Sequence, residues 1–327
     1  MAVEVPEVPD YEEARLASLQ ALNILDTPFE ERFDRITRFA SCLFDVPIAL
    51  VSLIDQDRQW FKSAMGLDVR ETSRAISFCG HTIVGRNIMS IADARHDERF
   101  ADNPLVLGEP YIRFYAGCPL YTEDGDALGT LCLIDRRPRT LNNDDVSVFQ
   151  DLALMVEREM RRPEHNILDD VTNISNRSGF AILAEKGLDL CARRAISASL
   201  VFIDLDKFHD SIELEESEQK LQKFGEYLNT HLEQSSLVAR VGDKQFVALL
   251  VDASAAESEL AMIKFKTTIE GLNQSESWQH PLHFHHGIAE FNASKHSTVE
   301  KLLTDADLAM YDNKKQKRYA SMQKKFS

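Results

Sequence analysis

The first half of the chain changes from a helical spacing of apolar residues to a strand-like spacing and back. Apolar residues recur at helical spacing over 11–24, over 28–44, where Pro28 stands in a helix-starting context, and over 142–162. The runs between these helices are rich in β-branched and aromatic residues. The predicted strands are 46–55, 57–66, 88–94 and the two arms of a hairpin within 112–135 that turns at Asp124-Gly125. Helices around an antiparallel sheet predict an α+β unit.

The second half alternates strands with helices. The predicted strands are 197–206, the two arms of a hairpin within 237–250, and 282–291. The predicted helices are 216–234, 255–271 and 298–318. This alternation predicts a sheet flanked by helices, so the whole chain is expected to be α+β, with a helix joining its two halves.

Length and composition are those of a two-domain globular protein. The chain has 327 residues, and its hydrophobic content is 44%. No apolar run approaches the roughly 20 residues that span a bilayer, and the acidic N-terminus lacks the order of a secretion signal. The five cysteines show no paired CxxC spacing, which favours reduced thiols over disulfides or a zinc site. We therefore expect a cytoplasmic protein that does not insert into a membrane.

The net charge argues against two classes of partner. At −16, the surface repels nucleic acid and anionic membranes. The single dense basic run, 313–326, is interpreted as a solvated helix face rather than a nucleic-acid arm. We expect no nucleic acid and no membrane among the partners.

The first half resembles the GAF family of small-molecule and sensory domains over about residues 11–160. The phrases that carry the resemblance are "RFDRITRFASCLFDVPIALVSLIDQDRQWFKS", "SFCGHTIV", "RFADNPLV" and "IRFYAGCPLYTEDGDALGTLCLID". The resemblance implies a ligand held between the sheet and the helices and loops that cover it. The candidate pocket residues are Phe78, Cys79, His81, Phe100, Phe114, Tyr115 and Cys118.

Each of these pocket candidates also has a purely structural interpretation. Cys79 and Cys118 stand in apolar context, where cysteine is commonly a packing group, and His81 can be a hydrogen-bonded interior histidine. Nothing in the sequence favours tetrapyrrole attachment, and the local patterns do not match a methionine sulfoxide reductase. No known cofactor is expected, and a small-molecule ligand of unknown identity is left open.

The second half resembles the GGDEF domain, the diguanylate cyclase fold, over about residues 168–320. "DDVTNISNRSGF" matches the opening segment of that family, although Asn173 and Ser175 replace its usual glycine and proline. "VFIDLDKF" matches its metal-binding strand, and "DADLAMYDNKKQKR" matches its closing helix. The expected domains are 1–162 and 163–327, because Pro163 favours a break in the connecting helix.

The active-site turn departs from the family at its acids. Diguanylate cyclases join two GTP molecules with the help of divalent metal held on carboxylates. The resemblance places one metal carboxylate at Asp204 and the other at Lys244, and an ammonium cannot ligate Mg²⁺. We therefore interpret Asp204 and Asp206 as vestigial metal ligands and expect neither metal nor cofactor. A salt bridge between Lys244 and Asp204 is one expected consequence.

The remainder of the turn leads to the same interpretation. Gly242 fills the first glycine position, but Asp243 occupies the second, where glycine would permit φ > 0 and close approach to phosphate. Gln245 keeps hydrogen bonding without charge, and Phe246 remains as a core anchor. The vestigial turn is Gly242, Asp243, Lys244, Gln245 and Phe246.

Other family positions have also changed. The resemblance puts Ile212 and Leu221 where polar groups would bind guanine, and apolar side chains would leave its edge unpaired. Glu233 and Ser236 stand where an Arg-x-x-Asp would bind cyclic di-GMP as an inhibitor. A nucleotide site of the family type is therefore not expected.

Two further groups could still bind a ligand. The resemblance makes Lys314 and Arg318 candidate phosphate contacts, although basic residues also suit the end of a helix. His283 and His285 share one face of a strand and could begin a metal site, but no carboxylate is placed by sequence to complete it.

These observations favour a GAF sensor coupled to a catalytically inactive GGDEF-like domain that acts as an interaction or regulatory module. An active or residual cyclase that uses Asp204, Asp206 and Lys314 is the alternative, and a pure ligand receptor is a third. A partner protein in a signalling pathway is expected, and a homodimer is expected through the helices that flank the GAF domain. The apolar positions predicted to pair two copies of helix 144–162 are Val146, Phe149, Leu152, Ala153 and Val156.

Overall fold

The computed structural model describes residues 4–161, 167–206, 214–232, 236–276, 278 and 280–325, without the side chains of 214, 215, 236 and 316–325. It divides the chain into two compact units, residues 1–165 and 166–327. The expected domain boundary between residues 162 and 163 lies outside the described residues. Within the part of the chain that the structure describes, no helix has the length and apolar character of a membrane span.

The first unit is built on an antiparallel sheet of six strands in the order β3-β2-β1-β6-β5-β4. The strands are β1 (Ile48–Ile54), β2 (Arg58–Met65), β3 (Glu71–Ser73), β4 (Met89–Ile91), β5 (Phe114–Tyr121) and β6 (Ala127–Asp135). The helices are α1 (Glu12–Ala21), α2 (Glu31–Leu43), α3 (Phe78–Thr82), α4 (Pro104–Leu107) and α5 (Asn143–Arg161). The α+β class and the antiparallel sheet predicted for this half are confirmed.

The two faces of this sheet are covered by different helices. Helices α2 and α5 pack against each other and on one face, and α3 contacts the other. All residues of β1 and β6 are buried, as expected for central strands covered on both faces. Asn142 caps α5, because its side chain accepts from the Asp145 amide while the Asp145 carboxylate accepts from the Asn142 amide. In the hairpin between β5 and β6, Gly125 has φ +90°, as the predicted turn requires.

The apolar stripe of α5 is buried within this unit. Phe149, Leu152, Ala153 and Val156 are all buried, and the ring of Phe149 meets that of Phe44 at 5.8 Å between centroids. The prediction that this stripe pairs two copies of the chain is therefore wrong about these four residues, because packing on α2 and the sheet already covers them, whereas the fifth, Val146, is partly exposed. Homodimerisation itself stays a prediction.

The second unit is a five-stranded sheet in the order β11-β8-β10-β9-β7. Its strands are β7 (Ser175–Asn176), β8 (Ala198–Asp206), β9 (Ser236–Arg240), β10 (Gln245–Val251) and β11 (His283–Glu290). Its helices are α6 (Arg177–Arg194), α7 (Leu214–His231), α8 (Ala255–Glu276) and α9 (Val299–Lys325). The pairing of β7 with β9 is parallel and the other pairings are antiparallel. The predicted sheet flanked by helices is confirmed.

Aromatic rings form the core between α7, α8 and the sheet. Phe224 contacts Phe246 and Phe265 edge to face, with centroids 4.9 and 5.5 Å away. Phe246 is fully buried, as expected of a core anchor at the end of the hairpin turn. Leu221 belongs to the same apolar cluster. This core fixes β8 and β10, which carry the acids and the turn singled out in the sequence.

Candidate functional site

The acids of the second unit lie at the carboxyl end of β8. Asp204 and Asp206 are two residues apart on this strand, so their side chains leave the same face of the sheet. In the register, Asp204 lies opposite Gln245 of β10 on one side and opposite His285 of β11 on the other. His285 of β11 therefore lies beside the two carboxylates, and α9, which packs on this face, adds a lysine to them.

The lysine at these acids is Lys314 of α9. Its Nζ lies 2.6 Å from Asp204 Oδ2 and 3.3 Å from Asp206 Oδ1. The other oxygen of Asp206 is 2.8 Å from Nε2 of His285. We call these four residues, Asp204, Asp206, His285 and Lys314, the strand-end cluster. Each carboxylate in it has a cationic or hydrogen-bonding partner supplied by the chain itself.

The pKa shifts agree with ion pairing in the strand-end cluster. Burial raises the pKa of Asp206, but hydrogen bonding to His285 and the charge of Lys314 outweigh it and lower that pKa. Burial likewise lowers the pKa of Lys314, and the two aspartates outweigh it and raise that pKa. Both groups are therefore held in their charged forms around neutral pH.

A glycine in β11 lets α9 come close enough to place Lys314. A Cβ built on Gly287 would lie 2.0 Å from the backbone nitrogen of Met310 and 2.5 Å from the carbonyl oxygen of Ala306. Met310 is one helical turn before Lys314, on the same face of α9. The absence of a side chain at Gly287 thus sets the distance between this helix face and the sheet.

The hairpin turn is held by Arg240, the last residue of β9. Its guanidinium donates to both carboxylate oxygens of Asp169, at 2.9 and 3.2 Å, and to the carbonyl oxygen of Asp243 at 2.8 Å. Burial raises the pKa of Asp169, but the hydrogen bond from Arg240 outweighs it and lowers that pKa. The opening segment of the domain and its hairpin turn are therefore tied together by one arginine.

The turn does not need the backbone freedom that we expected glycine to supply. Among the described residues, neither Gly242 nor Asp243 has a positive φ, so an aspartate fits the second position without strain. A Cβ on Gly242 would instead meet Oε1 of Gln245 at 2.6 Å. Asn173, at the usual glycine of the opening segment, does have φ 55°, a region that asparagine tolerates better than most residues.

The residues present do not fit a divalent metal site of the family type. Lys314 lies at bonding distance from Asp204, where a dication would need an open carboxylate oxygen. The described residues contain no group of three or more His, Cys, Asp or Glu side chains arranged to hold a metal ion. Lys244 supplies a cation where the resemblance implies an acid. Its expected salt bridge with Asp204 stays a prediction, since the partner seen at Asp204 is Lys314.

The two histidines of β11 correct a second expectation. The sequence placed no carboxylate beside them, but the strand register puts His283 opposite Asp206 and His285 opposite Asp204. These pairs could not be found from the sequence, because β8 and β11 are about 80 residues apart. Of the other family positions, Ile212, Glu233 and the side chains of Ser236 and Arg318 lie outside the described residues.

A cavity of about 350 Å³ lies in the first unit, between the sheet and the chain segments around α3 and α4. Of the seven candidates from the sequence, Phe78, Cys79 and Tyr115 line it. Phe100 stacks on Phe78 at 4.0 Å between centroids in the core beneath it. His81 contacts the ring of Phe100 and the carbonyl oxygen of Glu4, and burial lowers its pKa.

Two candidates point away from the cavity. Phe114 and Cys118 alternate with Tyr115 along β5, so they leave the opposite face of the sheet, on the side of α5. Burial, with the nearby charge of Glu157 on that helix, raises the pKa of Cys118 to about 12. The prediction that Phe114 and Cys118 line the pocket is therefore wrong, and both are packing residues.

Several residues that line the cavity could be identified only from the structure. Gln59 and Phe61 of β2 contribute to its wall, as does Leu50 of β1. Arg136, just after β6, is a charged lining residue. The signal available was a glutamine directly before Trp60 and Phe61 in a predicted strand, since a buried glutamine needs a hydrogen-bond partner.

Comparisons with known families confirm both resemblances. Residues 28–160 match the family model described as GAF domain. Residues 166–320 match the family model described as diguanylate cyclase, GGDEF domain. The two matches follow each other in the order expected from the sequence.

Two curated relatives come from cyclic di-GMP metabolism. A cyclic di-GMP phosphodiesterase of Pseudomonas aeruginosa is 44% identical over 174 residues, which cover 53% of this chain and 30% of the relative. A probable diguanylate cyclase of Escherichia coli, DgcC, is 24% identical over 170 residues, which cover 51% of this chain and 46% of the relative. The chain thus spans less than half the length of these relatives.

Solved structures of GGDEF domains are also similar to this chain. One is the GGDEF domain of DgcB from Caulobacter crescentus in complex with c-di-GMP, which is 17% identical with a TM-score of 0.43. The similarity covers 47% of this chain and 93% of that domain.

Proposed function

We propose, from the premise that this chain consists of a GAF domain followed by a GGDEF domain, that it is a cytoplasmic signalling protein of the cyclic di-GMP family. Its GGDEF domain would not synthesise the dinucleotide. It would serve as a regulatory or interaction module that responds to the GAF domain. The names of its relatives, a phosphodiesterase and a probable cyclase, support the pathway but assign neither activity to this chain.

One observation carries the proposal that the domain is inactive. The ammonium of Lys314 lies between Asp204 and Asp206, within 3.3 Å of both. A magnesium ion would have to displace this ammonium. The turn would give it no carboxylate ligand, because Lys244 occupies that position. Since phosphoryl transfer depends on metal charge to offset the negative charge of the phosphates, nucleotide turnover should fail.

The test is an assay of the full chain with GTP and either Mg²⁺ or Mn²⁺, with chromatographic detection of cyclic di-GMP. We expect no product above the rate without protein. An active diguanylate cyclase assayed in parallel controls for the reagents. Product that accumulates with the wild type and disappears in Asp204→Ala would refute the proposal and establish a working cyclase.

A residual cyclase is the second candidate, and the presence of both Asp204 and Asp206 favours it. Binding of Mn²⁺, followed by electron paramagnetic resonance, separates the two candidates without relying on turnover. If Lys314 blocks the acids, the wild type should not bind Mn²⁺, and Lys314→Ala should bind it more tightly than the wild type. Lys315→Ala, which removes an exposed lysine next in the chain, is the matched control. Tight Mn²⁺ binding by the wild type would favour the cyclase.

We propose further that the GAF domain is the sensor and that its cavity holds the signal molecule. The cavity of about 350 Å³ falls in the lower range of ligand pockets and combines an apolar wall with Gln59 and Arg136. Mass spectrometry of small molecules released by denaturing the purified chain tests this. A ligand that copurifies with the wild type, and is lost when Leu50→Trp fills the cavity, would support the sensor. Equal recovery from both would contradict it.

We also propose that the chain forms a homodimer, with the contacting surface outside the buried stripe of α5. The most exposed apolar residue of that helix is Leu154, at 49%. Light scattering coupled to size-exclusion chromatography should give twice the chain mass of 37.1 kDa. A single species at the monomer mass over a hundredfold range of concentration would contradict the proposal.

A further inference from the structure

The sheet face beneath α3 carries an unusual number of buried polar side chains. Ser52 of β1 lies opposite Thr130 of β6, and Cys132 follows two residues later on the same face. All three are fully buried. Because interior polar groups are normally hydrogen-bonded, this cluster calls for a functional or structural reason.

Two cysteines meet in this cluster. The Sγ atom of Cys79 in α3 lies 3.8 Å from that of Cys132. Nε2 of Gln59 donates to Cys79 Sγ at 3.2 Å, and the hydroxyl of Tyr115 donates to it at 3.3 Å. The sulfur of Cys79 thus accepts from donors on two strands of the sheet, β2 and β5, and lies against Cys132 of a third strand, β6.

Two hydroxyl groups in the cluster have no partner apart from Cys79. The side-chain oxygens of Ser52 and Thr130 are buried and have no other hydrogen-bond partner among the described residues, and both hydroxyl groups are placed to hydrogen-bond the sulfur of Cys79. Each can therefore turn its O–H towards negative charge on Cys79. Neutral thiols do not need so many donors, but a buried thiolate does, because an uncompensated buried charge is costly.

The pKa of Cys79 fits this interpretation. Burial alone would raise it, but the polar groups of Cys132, Thr130 and Tyr115 outweigh burial and lower it to about 7. Burial raises the pKa of Cys191, in the other unit, to about 11. The thiolate is the nucleophilic form of cysteine, so Cys79 differs in kind from a packing cysteine.

The cavity gives a small molecule a route to Cys79. Cys79 is a lining residue together with Gln59 and Tyr115, two of its donors. Cys132 lies behind Cys79, fully buried within the sheet. A reagent that enters the cavity would therefore meet Cys79 first and Cys132 only through it.

We propose that Cys79 is an oxidation site for a small hydroperoxide and that Cys132 resolves it as a disulfide. The Cys79 thiolate attacks the distal oxygen of ROOH, the O–O bond breaks, and the alkoxide takes a proton to leave as ROH. The resulting sulfenic acid loses water when the Cys132 sulfur, giving up its proton, forms the S–S bond. Two thiols are oxidised by two electrons and one hydroperoxide is reduced to ROH and water.

The geometry needs only a local movement for the second step. The two sulfurs must approach from 3.8 Å to the roughly 2.05 Å of a disulfide. Cys132 belongs to a central strand and cannot move far, whereas Cys79 belongs to a helix of five residues. The structure therefore assigns the movement to α3, which also forms part of the cavity wall, so oxidation would change the cavity.

The experiment exposes the full chain to hydrogen peroxide, blocks the remaining thiols under denaturing conditions, and analyses the peptides by mass spectrometry. Cleavage after Glu123 separates Cys118 from Cys132, so the linked pair can be assigned. We expect two of the five thiols to be lost, with Cys79 linked to Cys132, and dithiothreitol to restore both. In Cys132→Ser, Cys79 should react with dimedone, which traps sulfenic acid, and no internal link should form.

Two further variants distinguish reactivity from packing. Tyr115→Phe removes one donor and should slow the loss of the Cys79 thiol several-fold, whereas Tyr121→Phe, the same change away from Cys79, should not. Cys191→Ser should leave the linked pair unchanged. The proposal is overturned if Cys79 is oxidised no faster than Cys191, if the link joins two chains, or if Cys132→Ser leaves dimedone without a target.

Discussion

Replacing Gly287 with alanine tests whether the approach of α9 to β11 determines the stability of the GGDEF domain. The added Cβ would lie 2.0 Å from the nitrogen of Met310, and 2.5 Å from both the carbonyl oxygen of Ala306 and the Cα of Met310. All three atoms belong to the backbone of one helix, so no side chain can rotate away to make room. The whole helix must move, or the strand must.

Overpacking of this kind costs about 1–3 kcal/mol in the free energy of unfolding. For a domain of this size, that corresponds to a fall of roughly 2–10 °C in the midpoint of thermal unfolding. Gly271→Ala is the matched control, because a Cβ there meets nothing within 4 Å and the residue is exposed within α8. That change should stabilise the domain by about 0.5–1 kcal/mol, since alanine favours helix over glycine.

Tryptophan fluorescence can report on the GGDEF domain alone. The chain has two tryptophans, and Trp278 is the one in the second unit. In a Trp60→Phe background, urea unfolding followed at Trp278 should show Gly287→Ala less stable and Gly271→Ala more stable than the parent. Gly287→Ala with parental stability would refute the close approach of α9, and with it the derived position of Lys314.

Three further changes test other contacts. Burial raises the pKa of Asp34 to about 6, although the hydroxyl of Ser63 donates to its carboxylate. Between pH 3.8 and 6 the folded state therefore keeps a proton on Asp34 that the unfolded state has lost. The free energy of unfolding should fall as pH rises through this range. Asp34→Asn should remove that slope in urea unfolding measured across this range, and an unchanged slope would contradict the assignment. Phe246→Ala should cost about 3–5 kcal/mol in the second unit, because its ring fills the core beside α7, and a loss below 1 kcal/mol in denaturant unfolding would contradict this. Arg240→Lys cannot keep both bonds to Asp169 and should cost about 1–3 kcal/mol by the same measurement, whereas parental stability would show that the turn does not depend on it.

Most of the regular elements could be predicted from sequence because each is determined by local spacing, but helix α6 (Arg177–Arg194) was not predicted. The hairpin within 237–250 was read from two apolar runs around a polar turn, and it is present as β9 and β10. Strand β7 was missed, since two residues carry no periodic signal and their pairing with β9 is distant in sequence. Helix α2 begins at Glu31 rather than Pro28, so its first turn was predicted too early.

The candidate sites were harder to predict because they depend on register and on contacts between distant residues. Lys314 meets Asp204 across 110 positions of sequence, and no local pattern indicates that pairing. The sequence did single out both residues, but for metal and phosphate rather than for each other. In the GAF domain, Tyr115 and Phe114 are neighbours on β5 whose side chains leave opposite faces of the sheet. The sequence does not show which of these faces lines the cavity.

The strand-end cluster changes what the acids of β8 imply. From the sequence, Asp204 and Asp206 were interpreted as remnants of a metal site because the turn had lost its own acid, with a residual cyclase as the alternative. In the structure each has a partner within the fold: Lys314 bonds Asp204, and His285 bonds Asp206. Removing either carboxylate would leave the half-buried Lys314 short of countercharge, so the domain has a structural reason to keep both. The presence of these acids therefore has a structural explanation that requires no metal ion, and Lys314 connects α9 to the sheet.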